Sequence, residues 1–115
     1  MKALRIANAQ GFWGDDTEAA KNLMLQDKDI DFINLDYLAE LSLSIMAIQQ
    51  KEGKGHGYAA DFLEVLVSLV PFWNEGRKFK VVTNAGGLNP LGCLEACIEK
   101  LKSLLMVLKI GRAHV

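Results

Sequence analysis

The stretch Val81-Val82-Thr83-Asn84-Ala85-Gly86-Gly87-Leu88-Asn89-Pro90 decides how the chain folds. Three β-branched residues suit a buried strand. Gly86 and Gly87 then permit backbone angles that a Cβ would forbid. Asn89 before Pro90 fits the start of a helix, because Asn accepts a hydrogen bond from an orphan N–H and Pro has no N–H to leave unpaired. Strand, polar turn and helix in that order form one step of a parallel α/β sheet. The turn delivers polar groups to the positive end of a helix dipole, which suits an anion or a polar ligand group.

The same step recurs twice upstream. Residues 3–8 read as a strand with Leu4 and Ile6 as its apolar members, followed by the loop Gln10-Gly11-Phe12-Trp13-Gly14-Asp15-Asp16. Asp15 with Glu18 outlines a capping box for a helix over 17–26. Residues 30–35 read as a second strand running into Asp36-Tyr37-Leu38-Ala39-Glu40. A long helix follows, with Leu38, Leu41, Ile45 and Ile48 on its inward stripe and Asp36 as its cap. Gly53, Gly55 and Gly57 with Lys54 and His56 form a solvated loop, without dinucleotide spacing and not following a strand. A helix over 59–72, ended or bent by Pro71, a turn at Glu75-Gly76-Arg77-Lys78 and a strand over 79–83 lead back to the opening stretch. The last helix covers 91–108, with Leu94, Cys97, Ile98, Leu101 and Leu105 inward.

Alternation of this kind predicts an α/β fold: a Rossmann-like, three-layer fragment in which a short parallel sheet is flanked by helices and is incomplete at its C-terminus. The expected strand order is 2-1-3, so a crevice is expected between the first and third strands, at the carboxyl edge where ligands of open α/β sheets bind. The third strand is then an edge that further sequence should cover.

The chain has 115 residues, half of them hydrophobic, and a net charge of −1, so one packed domain is feasible. That balance, with no basic block, points away from nucleic acid and from a membrane surface. No apolar run is long enough to span a bilayer, the N-terminus is no signal peptide, and the expected compartment is the cytoplasm. Cys93 and Cys97, the two cysteines, are four apart on one helix face and read as core packing.

Together, Ala7-Asn8-Ala9-Gln10-Gly11-Phe12-Trp13-Gly14-Asp15, Asp36-Tyr37-Leu38-Ala39-Glu40 and Asn84-Ala85-Gly86-Gly87-Leu88-Asn89-Pro90 resemble the N-terminal domain of the acyclic terpene utilisation A family. The resemblance spans residues 3 to 108 and keeps the motif order. It implies a link to bacterial breakdown of citronellol- and geraniol-type isoprenoids through coenzyme A thioesters, and a protein longer than this chain. It carries over no catalytic set and no cofactor. Leu35 stands before the Asp36 motif where the family pattern expects a glycine, which makes that turn stiffer. The final Ile110-Gly111-Arg112-Ala113-His114-Val115 is encoded by ATC GGA AGA GCA CAC GTC, which resembles a common short-read sequencing adapter. The expected division is therefore a terpene utilisation-type domain over 1–109 and a non-native tail over 110–115.

The candidate ligand-binding residues are Gly11, Trp13, Asp15, Asp36, Glu40, Asn84, Gly86, Gly87 and Asn89. Asp36 and Glu40, four apart at a helix start, read either as paired carboxylates for Mg²⁺ or acid–base work, or as a cap and a solvated acid. Trp13 with Phe12 either stacks on a ligand or wedges its loop against the domain. No metal site is assigned, and no Ser-His-Asp order, nucleophile elbow, P-loop or zinc spacing occurs. Two functions fit. One is a domain binding a small ligand, an acyl thioester or another anion, through the turn's N–H donors. The other is an accessory or assembly subunit. The apolar run Leu104-Leu105-Met106-Val107-Leu108 suits packing against further C-terminal sequence or a partner subunit.

Overall fold

The computed structural model describes the backbone of residues 3–113 and the side chains of residues 3–104. The elements follow the expected order: β1 (Ile6–Gln10), α1 (Ala19–Gln26), β2 (Phe32–Leu35), α2 (Glu40–Lys51), α3 (Phe62–Asn74), β3 (Lys80–Thr83) and α4 (Pro90–Ala113). The three strands form one parallel sheet.

The strand order is β1-β2-β3, not 2-1-3. Composition explains the correction. β2, Phe-Ile-Asn-Leu, is the most apolar strand, and its Ile33 and Leu35 are fully buried. β1 alternates with alanine and asparagine, and β3 begins with an exposed lysine, so both suit an edge. Leu35 lies inside β2, paired with Gln10 and Thr83, so no turn there requires a glycine. Since β1 to β2 and β2 to β3 step in one direction, right-handed crossovers place their helices on one face of the sheet. Buried Ala20 and Met24 of α1 and Val65, Leu66 and Leu69 of α3 share the core cluster with Ile33 and Leu35 on that face. On the other face Ile6 is 70% and Val82 53% exposed. Among the described residues no third layer lies there.

One irregularity shapes the site. Asn8 pairs with Asn34, but Gln10, not Ala9, pairs with Leu35. The extra residue in β1 turns Gln10 to the core face, where it is 1% exposed.

Two helical faces differ from expectation. α2 buries Ser42 and Met46, while Leu41, Ile45 and Ile48 point outward. α4 turns Cys93, Cys97 and Leu101 inward, and Leu94 and Ile98 are exposed. Both helices carry apolar residues on more than one side, so periodicity alone did not select the buried stripe. Leu105, the rest of the 105–108 run and the expected tail at 110–115 lie outside the described side chains. α3 begins three residues later than expected and runs through Pro71. Pro71 stands in the last helical turn, so its missing N–H removes a single bond.

The amino end of the sheet is tied by arginines. Arg77 Nη1 donates to Met24 O at 2.6 Å and Nη2 to Asp27 O at 2.8 Å, closing the C-terminus of α1. Arg5 pairs with the Asp27 carboxylate.

Candidate functional site

In-register pairing of Gln10, Leu35 and Thr83 ends the three strands on one edge. The loops that follow meet there in the order first, second, third. The loop after β2 therefore occupies the place where a crevice between β1 and β3 was expected. Asp36 N donates to Gln10 O at 3.0 Å, joining the second loop to the first strand.

The third loop is joined to the second by Asn84. Its Oδ1 accepts from Tyr37 N at 2.7 Å and its Nδ2 donates to Asp36 Oδ1 at 2.8 Å. Asp36 also accepts from Leu38 N at 3.1 Å. These donors, that of Asn84 first, hold the Asp36 carboxyl below its ordinary pKa. Asp36 is thus not the cap of α2, which begins four residues later. Ala39 stands at that cap in extended conformation, and Ser42 Oγ accepts from Ala39 N at 3.2 Å. The i, i+4 helical relation that would set Asp36 beside Glu40 does not hold, and Glu40 is exposed. No group of three or more potential metal ligands occurs among the described residues.

The first loop is braced by its own acid. Asp15 accepts from Gly11 N at 3.0 Å and from Asp16 N at 2.7 Å, and these bonds lower its pKa. The expected capping box does not form. Asp16 instead accepts from Glu18 N at 2.9 Å, ahead of α1. Trp13 is the wedge: it packs against the core, and its Nε1 donates to Asp61 Oδ1 at 3.0 Å. Phe12 beside it is 58% exposed.

Gly86, Gly87 and Asn89 serve the packing of the third loop. A Cβ on Gly86 would stand 2.8 Å from Pro90 Cα. Gly87 has φ +53, and a Cβ there would stand 2.5 Å from Met46 Sδ and 2.9 Å from Gly57 O. Asn89 is the cap of α4 as expected: Oδ1 accepts from Gly92 N at 3.0 Å, and its backbone carbonyl accepts from Cys93 N at 3.1 Å. Its Nδ2 donates to His56 O at 2.9 Å and holds the 53–58 loop, where His56 stacks on Tyr58. The side chain of Asn89 thereby takes one of the donors expected for a ligand.

Two buried polar residues under the edge were not singled out in sequence. Gln10 Nε2 donates to Asp16 O at 3.0 Å, while Gln10 Oε1 has no hydrogen-bond partner among the described residues. The Tyr37 hydroxyl is likewise buried and unpartnered there, its ring set edge-on to Phe62 at 6.1 Å. Burial first, then the charge of Asp61, raises its pKa. The bulge that buries Gln10 leaves no mark in the sequence, and Tyr37 next to Asp36 reads as loop. Cys93 faces the same interior, and burial pushes its thiol up to about 11, which keeps it protonated and inert at neutral pH.

The molecule is thus an α/β domain whose parallel sheet ends in three loops laced by carboxylates and carboxamides. Residues 4–114 match the family model described as acyclic terpene utilisation family protein AtuA, and the chain belongs to that family. No curated protein and no solved structure matches it. No described helix is long and apolar enough to cross a membrane.

Proposed function

We propose that the chain is the ligand-holding α/β part of an acyclic terpene utilisation protein that works in the breakdown of citronellol- and geraniol-type isoprenoids. Its ligand sits at the carboxyl edge of the sheet. The observation that carries this reading is the Asp36–Asn84 link, which fixes a polar platform where three strand ends converge. Asp15 and Asp36 are both held in their charged form, so the edge presents acceptors. It favours a hydroxyl, an amine or another donor-bearing group over an acyl-thioester phosphate or other anion, which would meet like charge.

The test is a series of amide spectra of the chain with divalent cations, nucleotides, acyl-CoAs and short aliphatic alcohols. Donor-bearing compounds are expected to shift the Gly11, Tyr37 and Asn84 resonances, and an Asn84→Ala, Gly87→Val double variant should lose those shifts. Absence of any shift at the edge with all four classes would overturn the reading.

A second reading, an assembly subunit, is favoured by one observation. Leu41, Ile45 and Ile48 on α2 and Leu91, Leu94 and Ile98 on α4 are exposed. Outward apolar residues on two helices suit burial against further protein.

A further inference from the structure

Cys93 and Cys97 stand one turn apart on α4, and both turn inward. With Phe62, Thr83 and Leu94 they line one cavity of about 250 Å³, between the end of β3 and the first turns of α4. Cys93 is buried and Cys97 half-buried, while Leu94 beside them is exposed, so the sulfurs are reached from solvent on one side. Residues four apart on a helix carry Cβ atoms about 5–6 Å apart. A disulfide needs them about 3.5–4.5 Å apart, so the two sulfurs cannot join directly without unwinding the helix. A single ion bonded to both sulfurs, at about 2.3 Å each, spans the wider gap. The Tyr37 hydroxyl points to the same place. It is buried and without a partner among the described residues, and after burial and Asp61 the charge of Cys93 adds to its raised pKa. Beside a neutral thiol that O–H is idle, whereas a thiolate gives it an acceptor. Cys93 also stands in the first turn of α4, whose positive end favours charge on sulfur.

We infer that Cys93 and Cys97 together bind one soft, two-coordinate cation of the Cu(I) class. Each thiol gives its proton to solvent, two S–H bonds are replaced by two Cu–S bonds, and no electron moves. The bis-thiolate complex carries one negative charge, which the α4 N-terminus and the Tyr37 O–H offset. Soft thiolate ligands select Cu(I). Zinc, the other thiolate metal, takes four ligands, and no group of three or more potential ligands occurs among the described residues. The raised pKa keeps the Cys93 thiol from attacking electrophiles. A soft cation takes the proton's place on sulfur, so that pKa lowers its affinity without closing the site. The thiols face the interior and not the rim, so this site stands apart from the carboxyl-edge reading.

The experiment is an anaerobic titration of the full chain against Cu(I) held by bicinchoninate, whose colour fades as the protein takes the ion. The parent is expected to take one equivalent per chain and to release two protons. X-ray absorption should show two sulfur neighbours and no nitrogen. Cys97→Ser, a change at a half-buried position, should weaken binding by about a hundredfold or more, and Cys93→Ala, which keeps the interior apolar, should do the same. Tyr37→Phe should keep the fold and the stoichiometry and bind about tenfold more weakly. No transfer of the ion from bicinchoninate would overturn the inference. So would a single-thiol variant that binds like the parent, a nitrogen in the copper shell, one ion shared by two chains, or Zn(II) held as tightly as Cu(I) in equilibrium dialysis.

Discussion

Asn84 shows how much one side chain decides here. Its carboxamide satisfies the Tyr37 N–H and holds Asp36 ionised, so loop geometry and local charge rest on the same group. The depressed carboxyl pKa fixes a sign. Stabilisation from Asp36 is fully present above the unfolded carboxylate value of about 3.9 and is lost as pH falls through the lower folded value. Thermal melts of the parent between about pH 2 and 6 should therefore show acid destabilisation, shared with Asp15 and Asp27, whose pKa values are also lowered. Asp36→Asn should flatten part of that slope, and an unchanged slope would remove Asp36 from the explanation. Tyr37 gives the opposite kind of expectation. Its buried hydroxyl is unpartnered among the described residues, so Tyr37→Phe removes a desolvated group and loses no bond seen there. Denaturant titration should find it neutral or more stable by up to about 1 kcal/mol. Tyr37→Ala, which empties the same space, should cost about 3–5 kcal/mol.

At the scale of elements, parallel strands with connecting helices, and a cap at Asn89, could be read from residue types because local chemistry sets them. β-branched runs, Asn-Pro and paired glycines each act within a few residues of themselves. Which stripe of α2 or α4 turns inward could not be read, since both helices are apolar on several sides and tertiary packing chooses. Strand order failed for a related reason. Alternation of strands and helices leaves the order open, and the apolar content of β2 against the polar content of β1 settles it. Arg77 reads in sequence only as part of a turn, because its role lies 50 residues away, at the C-terminus of α1. There its guanidinium accounts for two orphan carbonyls and lies over the Phe72 ring at 5.4 Å. Arg77→Ala should cost about 1–3 kcal/mol in denaturant titration. It should raise amide exchange in the last turn of α1 before that of α3. Exchange rising equally in both would mean that Arg77 acts through the core alone.

The molecule as a whole is a sheet with helices packed on one side and loops gathered at one edge. The expectation that those loops share a rim holds, and it holds because all three strands run in one direction. The expected crevice does not survive, because the middle strand sends its own loop into that space and joins both neighbours. The candidate residues divide accordingly. Asp36 and Asn84 build the platform, Gly11 and Asp15 brace the first loop, Trp13, Gly86, Gly87 and Asn89 pack the loops around it, and Glu40 stands apart. Glycines and short polar residues mark these loops in the sequence. The sequence could not assign the roles, which depend on partners 47 or 48 residues distant. The central claim is that the β3 loop is locked onto the β2 loop through Asn84. Hydrogen exchange at the Tyr37 amide tests it most directly. Protection is expected in the parent and its loss in Asn84→Ala, with Ile33 in β2 protected in both. A Tyr37 amide that exchanges as freely in the parent as in the variant would contradict it.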